Sequence, residues 1–404
     1  MDFLYITGIE DTFVSRTDAR SQRSLDEYEL TQHYQHMKED LLLISETGFR
    51  HVRYGVPWYL VNPGKGVFDW AWTDRVMDTL HGYSLNPIID FIHYGTPHWM
   101  SNSFINAFFH SYMRDYILAF LDRYDDLVTH YTPMNEPYIT QEFCGQKGNW
   151  PPYLEGYDGF VKLLMSTAEG IVSTVQSVKE AFPEKIALHV EASGMFFTSD
   201  PSLERRTELE NELRFLTYDL ITGRVTENHK LYAFLLENGA GIRELEWFEE
   251  NSIAVDAFGV NYYPQLSVYE LKNRGNGVVF EGHYGGIEYL RKLLLEYSER
   301  YGGPIYLTET SINGSVEHQI RWWTESTSFM LELQQEGVDV QGYTWFPAMD
   351  LINWDYRYGA GAVEEYLEPM GFIKLEMDSA RNFTRRLSPL ADVIRNDLKA
   401  LQKQ

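Results

Sequence analysis

Short apolar runs of strand type alternate with long amphipathic segments along the sequence, and this alternation limits the fold more than any other feature. Between the runs, segments such as "AWTDRVMDTLHGY" and "GIEYLRKLLLEYSERYG" carry apolar residues at i, i+3 and i+4, the spacing of a helix with one buried face. Alternation of this kind is typical of parallel βαβ units. The eight runs begin near Phe3, His51, Asn86, Leu127, Lys185, Val255, Pro304 and Val340. They predict a single (β/α)8 TIM barrel.

The chain carries no sign of a domain boundary. It has 404 residues, 44% of them hydrophobic, and no linker rich in Pro, Gly or Ser, low-complexity tract or short-period repeat divides it. A chain of this length can form one large (β/α)8 barrel. We therefore expect one domain over residues 1–404, with enlarged, irregular βα loops near Gly145–Tyr157, Thr198–Glu250 and Tyr356–Glu368.

Charge and cysteine content narrow the classes of partner. The formal net charge is −25, so the surface repels phosphate backbones and anionic lipid, and neither nucleic acid nor membrane is expected as a partner. No stretch approaches the roughly 18 apolar residues of a membrane span. The one cysteine, Cys144, excludes internal disulfides and thiolate metal clusters. A cytoplasmic location is the expectation, and the oligomeric state is not predicted.

Two acids stand where predicted strands end. Glu136 lies in "MNEP" after the fourth strand, where Pro137 removes a backbone donor, and Glu309 lies in "YLTETSING" at the end of the seventh. Chemistry in such barrels takes place at the carboxyl ends of the strands. The fourth and seventh strands of a barrel face each other across its mouth. We therefore expect the two carboxyls to flank one small substrate.

A facing pair of carboxyls among aromatic side chains is typical of a glycosidase. One acid must be protonated to help the leaving oxygen depart, and the other ionised to attack the sugar carbon. Arg53, in the second strand, can hold Glu309 ionised, and Tyr263, after the sixth, can hydrogen-bond the same carboxylate. Asn135 can bind the sugar hydroxyl beside the reacting carbon. These side chains predict a sugar-cleaving site.

Further polar and aromatic side chains follow other strands. Aromatic faces bind the C–H faces of sugars, while amides, imidazoles and carboxylates take the hydroxyls. The substrate-binding candidates of this kind are Glu10, His93, Tyr94, Trp345, Asn353 and Trp354. The predicted partner is a small carbohydrate or glycoside.

Six segments of the sequence resemble the family 1 glycoside hydrolases, the β-glucosidase family of the retaining (β/α)8 clan. The segments that carry the resemblance occur in the family's order: "HYQHMKEDLLLISETGFRHVRYGVPW", "FIHYGTP", "RYDDLVTHYTPMNEP", "VDAFGVNYYP", "PIYLTET" and "GYTWFPAMDLINW". The resemblance places Arg53 on the family's arginine, His93 on a sugar-binding histidine and Tyr263 on the tyrosine beside the nucleophile. It also matches Trp345 and Trp354 to two substrate tryptophans.

The resemblance implies a retaining β-glycosidase that acts by double displacement. Glu309 would be the nucleophile, Glu136 the acid/base and Asn135 its neighbour. Retention requires the two carboxyls roughly 5–5.5 Å apart, against roughly 6.5–9.5 Å for inversion. No metal or organic cofactor is implied.

Departures from the family pattern fall in the sugar pocket. The family has a Glu where this chain has Asn353, and a neutral amide cannot accept two charge-assisted hydrogen bonds. In "TGIED", Glu10 takes the place of the family's first-strand glutamine and would return an acid to the pocket. Where the family has "TENG", this chain has "TETS". These changes predict a divergent branch with an altered glycone pocket.

Other readings of the same residues stay open. A sugar-binding protein that has lost turnover would keep the aromatics, and a transglycosidase would use the same acids with another acceptor. A lyase or aldolase would need a Schiff-base lysine or a metal cluster, and neither is found in the sequence. His33 and His36 have helical spacing but no third ligand, so helix packing is favoured. Arg357 is either a clamp for a 6-phospho-sugar or part of the scaffold.

Overall fold

Eight strands form a closed barrel in the computed structural model, which describes residues 3–15, 22–275 and 277–401. Neighbours around the barrel follow chain order, and the first strand closes it by pairing in parallel with both the second and the last. In chain order the barrel strands β1–β8 are Leu4–Gly8, His51–Gly55, Asn86–Asp90, His130–Thr132, Ile186–Ala192, Ala257–Asn261, Ile305–Thr310 and Val340–Trp345. The predicted (β/α)8 barrel is confirmed.

Long helices follow the strands as the amphipathic spacing predicts. In the helix after β6 the buried side chains are Leu290, Leu293, Leu294 and Tyr297, one stripe on one face. The long helices are His33–Thr47, Ala71–Gly82, Phe109–Tyr124, Gly156–Ala181, Gly286–Tyr301, Val316–Gln335 and Pro389–Leu401. Short helical turns are Glu27–Leu30, Trp58–Val61, Ser103–Ile105, Asp125–Leu127, Pro137–Thr140, Gln141–Gln146, Pro201–Leu203, Trp354–Arg357 and Val363–Tyr366.

The segment between β5 and β6 corrects one prediction. The stretch Thr198–Glu250 is not irregular but largely helical, with helices Glu204–Leu213, Leu216–Ile221, Tyr232–Glu237 and Ile242–Glu250. The first of these, "ERRTELENEL", buries Thr207, Glu210 and Leu213, of which only the leucine is aliphatic. Because its buried face is largely polar, it lacks the apolar stripe on which a helix prediction depends.

Small sheets add to the loops. A three-stranded sheet contains Met195–Phe197, Val268–Asn273 and Val278–Gly282. Two-stranded sheets pair Phe13–Val14 with Leu25–Asp26, Leu351–Ile352 with Leu367–Glu368, and Ile373–Met377 with Phe383–Leu387. The second of these pairs lies in the loop after β8 and positions side chains discussed below.

The chain divides into two compact units. One comprises Met1–His98, Asp125–Tyr131 and Pro304–Gln404, and the other Trp99–Tyr124 and Thr132–Gly303. Each has its own buried apolar side chains. The expectation of one domain over residues 1–404 stays a prediction. No helix in residues 3–15, 22–275 and 277–401 is long and apolar enough to cross a membrane.

A buried ion-pair network joins two distant parts of the first unit. Asp40 accepts from Arg385 Nε at 2.9 Å through one oxygen and lies 2.7 Å from His33 Nδ1 through the other. His33 Nε2 lies 2.7 Å from the Tyr54 hydroxyl. The Asp40 and Arg385 side chains are both fully buried. His33 is thus occupied by packing and hydrogen bonding, as the sequence favoured.

Asp40→Ala is expected to destabilise the fold strongly, because it leaves the Arg385 guanidinium buried without its carboxylate. Removing one partner of a buried pair costs about 3–5 kcal/mol. Urea unfolding followed by tryptophan fluorescence measures the effect. The matched control is Glu376→Ala, whose pair with Arg386 is 60% exposed on both sides and is worth at most about 1 kcal/mol. Equal losses for the two variants would contradict the prediction.

Candidate active site

Arg53 and Glu309 form a buried ion pair in the first unit. Arg53 lies within β2 and is 1% exposed; its Nη1 donates to Glu309 Oε1 at 2.7 Å. Its Nη2 donates to Asp90 Oδ2, also at 2.7 Å. Burial alone would lower the pKa of Arg53, but the charges of Glu309 and Asp90 raise it above its usual range. The guanidinium is therefore a fixed positive charge that favours ionised carboxylates beside it.

His93, three residues beyond the end of β3, is surrounded by acids. Its Nδ1 lies 3.0 Å from Asp11 Oδ1 and 3.3 Å from Asp90 Oδ2. Gly55 makes room for Asp11, since a Cβ at that position would lie 1.7 Å from an Asp11 oxygen. Burial alone would lower the pKa of His93, but Asp11, with Asp90 and Glu10, raises it well above its usual range. His93 is therefore a cationic donor at neutral pH.

Three of these side chains have the composition of a cation site. The ligand atoms of Asp11, Asp90 and His93 lie within 4.8 Å of one another. However, Arg53 already places a positive charge on Asp90, and Asp11 has a partner in His93. Each of these carboxylates therefore has a protein cation beside it, and an ion-pair network accounts for the cluster.

Glu10 lies two residues past β1 at the edge of this network. Its Oε1 accepts from the backbone N–H and the hydroxyl of Thr12 and is 3.7 Å from His93 Nε2. Burial raises its pKa to about 7, with Glu309 contributing in the same direction and His93 opposing it. Glu27, fully buried, accepts from the Ile352 N–H, and burial together with Glu10 raises its pKa well above the usual range. The pocket around Glu10 is thus rich in carboxyl groups.

The predicted aromatic residues of the first unit fall into two groups. Tyr94 has φ +69° and packs edge-on against His93 at 4.7 Å and Trp354 at 5.4 Å between ring centroids. Trp354 is half-buried. Trp345, by contrast, is fully buried and packs against Trp323 at 6.2 Å. Tyr94 and Trp354 therefore share one aromatic surface with His93, and the role of Trp345 in binding substrate stays a prediction.

Asn353 uses its side chain inside the loop. Its Oδ1 accepts from the Asp355 N–H at 2.7 Å and caps the turn Trp354–Arg357, while its Nδ2 donates to Glu368. The cap explains why an amide suits this position. Glu368 is brought there by the pairing of Leu351–Ile352 with Leu367–Glu368. A carboxylate from 15 residues downstream, that of Glu368, thus lies beside the Asn353 amide.

Glu136 lies in the second unit, four residues past the end of β4. It has φ +42° and ψ +63°, the left-handed region that non-glycine residues seldom adopt. Its N–H donates to the Val190 carbonyl at 3.0 Å, and its Oε1 accepts from Asn261 Nδ2 at 2.8 Å. The same Nδ2 lies 3.4 Å from Asn135 Oδ1. Residues with strained backbone are concentrated at functional sites, so this conformation makes Glu136 a candidate functional residue.

Tyr263 lies two residues past β6 and is half-buried; its N–H donates to Ser267 Oγ at 3.0 Å. Its contact with Glu309 stays a prediction. Arg357 is buried, with Nη1 donating to the carbonyls of Val14 and Arg23. These bonds favour the scaffold reading of Arg357 over the phosphate clamp.

Sequence reasoning missed several acids and amides at strand ends: Asp11, Asp90, Glu191, Asn261 and Glu368. The four in or beside barrel strands stand at positions where a barrel places its chemistry, so the strand-end rule could have found them. Glu368 carried no such signal, since only the pairing of two loop strands brings it to Asn353.

Comparison with known proteins identifies the family. The model of "Glycosyl hydrolase family 1" matches residues 7–278, well over half of the chain. The chain belongs to glycosyl hydrolase family 1. It is 23% identical to a 6-phospho-beta-glucosidase of Clostridium longisporum over 79% of this chain and 76% of that protein. It is 22% identical to a cyanidin 3-O-glucoside 7-O-glucosyltransferase (acyl-glucose) of Delphinium grandiflorum over 91% and 80%.

Solved structures agree on the fold of this family 1 chain. A β-glucosidase from Thermotoga maritima in complex with methoxycarbonyl-substituted glucoimidazole superposes with a TM-score of 0.80 at 16% identity. The likeness covers 98% of this chain and 97% of that one. The resemblance on which the sequence prediction rested is thus confirmed at the level of family and fold, and the chain is a glycoside hydrolase.

Glu10→Gln in the glycoside hydrolase is expected to stabilise the fold more at alkaline than at acid pH. The raised pKa means that the folded protein binds the Glu10 proton more tightly than the unfolded chain. Stability is therefore lost as the pH rises from the usual value of 4.5 through about 7, and glutamine removes this loss. Thermal unfolding of both proteins between pH 5 and pH 8 measures the effect.

The control for this experiment is Glu227→Gln, an exposed carboxyl. Its melting temperature should stay close to that of the wild type, because the substitution removes no buried contact. A pH-independent offset for Glu10→Gln would show that Glu10 does not titrate differently in the folded state.

Proposed function

We propose that this glycoside hydrolase cleaves β-glycosides with retention of configuration, with Glu309 as nucleophile and Glu136 as acid/base. The observation that carries the proposal is the ion pair between Arg53 and Glu309, 2.7 Å long and almost completely buried. A nucleophilic carboxylate must be ionised when the substrate arrives, and a fixed cation beside it favours that state. Glu136 accepts a hydrogen bond from the neutral Asn261 amide at 2.8 Å, and the role of acid/base needs a carboxyl that can hold a proton.

The order of the barrel strands supports a shared site for the two acids. Both follow or end parallel strands of one closed barrel, Glu136 after β4 and Glu309 in β7. In a barrel of this kind residues at the carboxyl ends of different strands supply one active site. The resemblance of "MNEP" and "YLTET" to the family's segments implies the same two positions. A separation of about 5–5.5 Å between the carboxyls is the expectation for retention.

The proposed reaction has two displacements. Glu309 attacks the anomeric carbon and forms a covalent glycosyl ester, while Glu136 gives its proton to the departing oxygen. Glu136 then takes a proton from water, which attacks the same carbon and frees Glu309. His93, Glu10, Tyr94 and Trp354 would hold the glycone, with His93 as a charged donor to a hydroxyl. Asn135 would bind the hydroxyl beside the reacting carbon.

Transfer to an acceptor other than water is the second candidate. The Delphinium relative is named as a glucosyltransferase, and the two reactions share the first displacement. Incubation of the enzyme with an activated donor, with and without an acceptor alcohol, separates them, since only transfer yields a new glycoside. A binding protein without turnover would hydrolyse no nitrophenyl β-glycoside and would still gain thermal stability from a sugar. The cytoplasmic location and the absence of nucleic-acid and membrane partners stay predictions.

Glu309→Ala is expected to reduce kcat by several orders of magnitude, because no ester can form. Azide should restore turnover of an activated aryl glycoside and give the inverted glycosyl azide, since it fills the space of the lost carboxylate. Glu136→Ala should lose about 10²–10⁴-fold in rate, the usual worth of acid/base assistance. Proton NMR of the product measures the configuration. Nitrophenyl β-glycosides of several sugars, with and without a 6-phosphate, should be screened first.

Glu325→Ala is the control, because Glu325 is exposed on the helix Val316–Gln335. It should behave like the wild type. Undiminished hydrolysis by Glu309→Ala, or an azide product of retained configuration, would remove Glu309 from the role of nucleophile.

A further inference from the structure

A cavity of about 800 Å³ lies between two helices of the second unit. One wall is a face of the helix Gly156–Ala181, and the other is a face of the helix Ile242–Glu250. The volume falls in the range of small-molecule sites, roughly 300–1,000 Å³. Among the described residues that line the cavity, none belongs to a barrel strand or to the candidate active site. The proposed reaction therefore does not use this cavity.

Hydrogen bonds hold the walls of the cavity in place. Ser166 Oγ donates to the Phe104 carbonyl at 2.5 Å, which ties the long helix to the turn Ser103–Ile105. Gln176 Nε2, further along the same helix, donates at 2.8 Å to the carbonyl of Asn251, the C-cap residue of the second helix. Both ties are made by the protein itself, so the cavity is preformed.

The floor of the cavity is apolar, and a tryptophan lies beside it. Val161, Met165 and Phe248 line the floor and are at most 9% exposed. Trp247 is half-buried and packs edge-on against Phe248 at 5.0 Å between ring centroids. Its Nε1 donates to no group in the described part of the chain. The indole thus offers an apolar face and a donor, a combination that suits the C–H face and the hydroxyls of a sugar ring.

Charged side chains of both signs line the cavity without protein partners. Asp158 and Lys162 are one turn apart on the first wall, and Arg243 is on the second wall, one turn before Trp247. All three are exposed. Within the residues that the structure describes, none of them makes an ion pair or a side-chain hydrogen bond. Their donors and acceptors are therefore available to a ligand.

The balance of these charges favours a neutral ligand. Three carboxylates and two cations line the cavity, namely Asp158, Glu169, Glu244, Lys162 and Arg243, with His110 at 3.7 Å from Glu169. An anion would meet the carboxylates, and a cation would meet Lys162 and Arg243. A neutral compound with many hydroxyls can accept hydrogen bonds from the cations and donate to the carboxylates at the same time.

We propose that this cavity is a second, non-catalytic binding site for neutral saccharides. Trp247 stacks on a sugar ring, and the charged side chains of the two walls bind its hydroxyls. The chain is a glycoside hydrolase, so saccharides are the compounds of this chemistry that it meets. The proposal goes beyond the proposed function and does not depend on it, because the proposed catalytic residues take no part.

Fluorine NMR of protein labelled with 5-fluorotryptophan tests the site directly. The chain has 10 tryptophans, and the resonance missing from Trp247→Phe belongs to Trp247. The probes are cellotetraose, laminaritetraose and mannotetraose, each with sulfur in place of the glycosidic oxygens so that they are not hydrolysed. We expect at least one probe to move the Trp247 resonance saturably. The internal control is Trp70, which is half-buried in the first unit and should not respond.

Substitutions on the two walls should weaken this binding. Arg243→Ala and Asp158→Ala each remove a group that binds a hydroxyl. The dissociation constant read from the Trp247 resonance should therefore rise about threefold to tenfold, as expected for the loss of one hydrogen bond. The matched control is Arg205→Ala, an exposed arginine of the same unit that does not line the cavity. It should leave the dissociation constant unchanged, and circular dichroism checks that each variant is folded.

Several outcomes would overturn the proposal. With no saturable movement of the Trp247 resonance for any probe, or with equal movement of Trp70, there is no specific site. Equal weakening in Arg205→Ala would separate the binding from the cavity. Tighter binding of glucose 6-phosphate or glucosamine, or an affinity that falls steeply with added salt, would refute a neutral ligand. Failure of the proposed function is distinct, because this test measures binding and requires no turnover.

Discussion

A single buried cation organises the acids of the first unit. Arg53 is inaccessible to solvent and binds Glu309 and Asp90 with separate nitrogens, while Asp90 also lies beside His93. Removing a guanidinium from water is expensive, and only two well-placed carboxylates make it tolerable. The two carboxylates therefore make the burial of Arg53 possible, and the charges of Glu309 and Asp90 raise its pKa above the usual range.

Four glutamates of this protein have the same side chain but different partners. Glu309 has a guanidinium, Glu136 an amide, Glu191 backbone N–H groups, and Glu10 a hydroxyl with a histidine at 3.7 Å. These partners differ in charge and in the donors that they offer, and burial raises the pKa of Glu10 and of Glu191. A site that needs one charged and one neutral carboxyl can thus be built entirely from glutamates. Under the proposed mechanism, the division of labour between Glu309 and Glu136 follows from this difference in partners.

The sequence predicted the barrel because each barrel strand and long helix carries its own periodicity. Strand ends also identify candidate positions such as Glu136 and Glu309 without knowledge of tertiary contacts, whereas Arg53 lies in the middle of β2. Within Thr198–Glu250, the helix Glu204–Leu213 was missed because this charged segment has no apolar stripe, and the other three helices are only six to nine residues long. Contacts that arise from the meeting of distant segments, such as Asp11 on Gly55, left no local signal.

Under the proposed function, Asn353 and Glu368 would change the glycone pocket and still leave a carboxylate in it. At Asn353 the amide caps its own turn and donates to Glu368, which a short loop strand delivers. A carboxylate can therefore be supplied from a different position in the sequence. If two segments pair, the second segment can bring an acid to a place where the first has none. Comparison of aligned residues alone would read position 353 as the loss of a charge. The folded chain instead keeps a carboxylate within hydrogen-bonding distance of that position, and Glu10 and Glu27 lie near one another at the end of β1. The glycone pocket of a divergent family member is thus better inferred from the side-chain oxygens that lie close together in the structure than from residue identity at aligned positions.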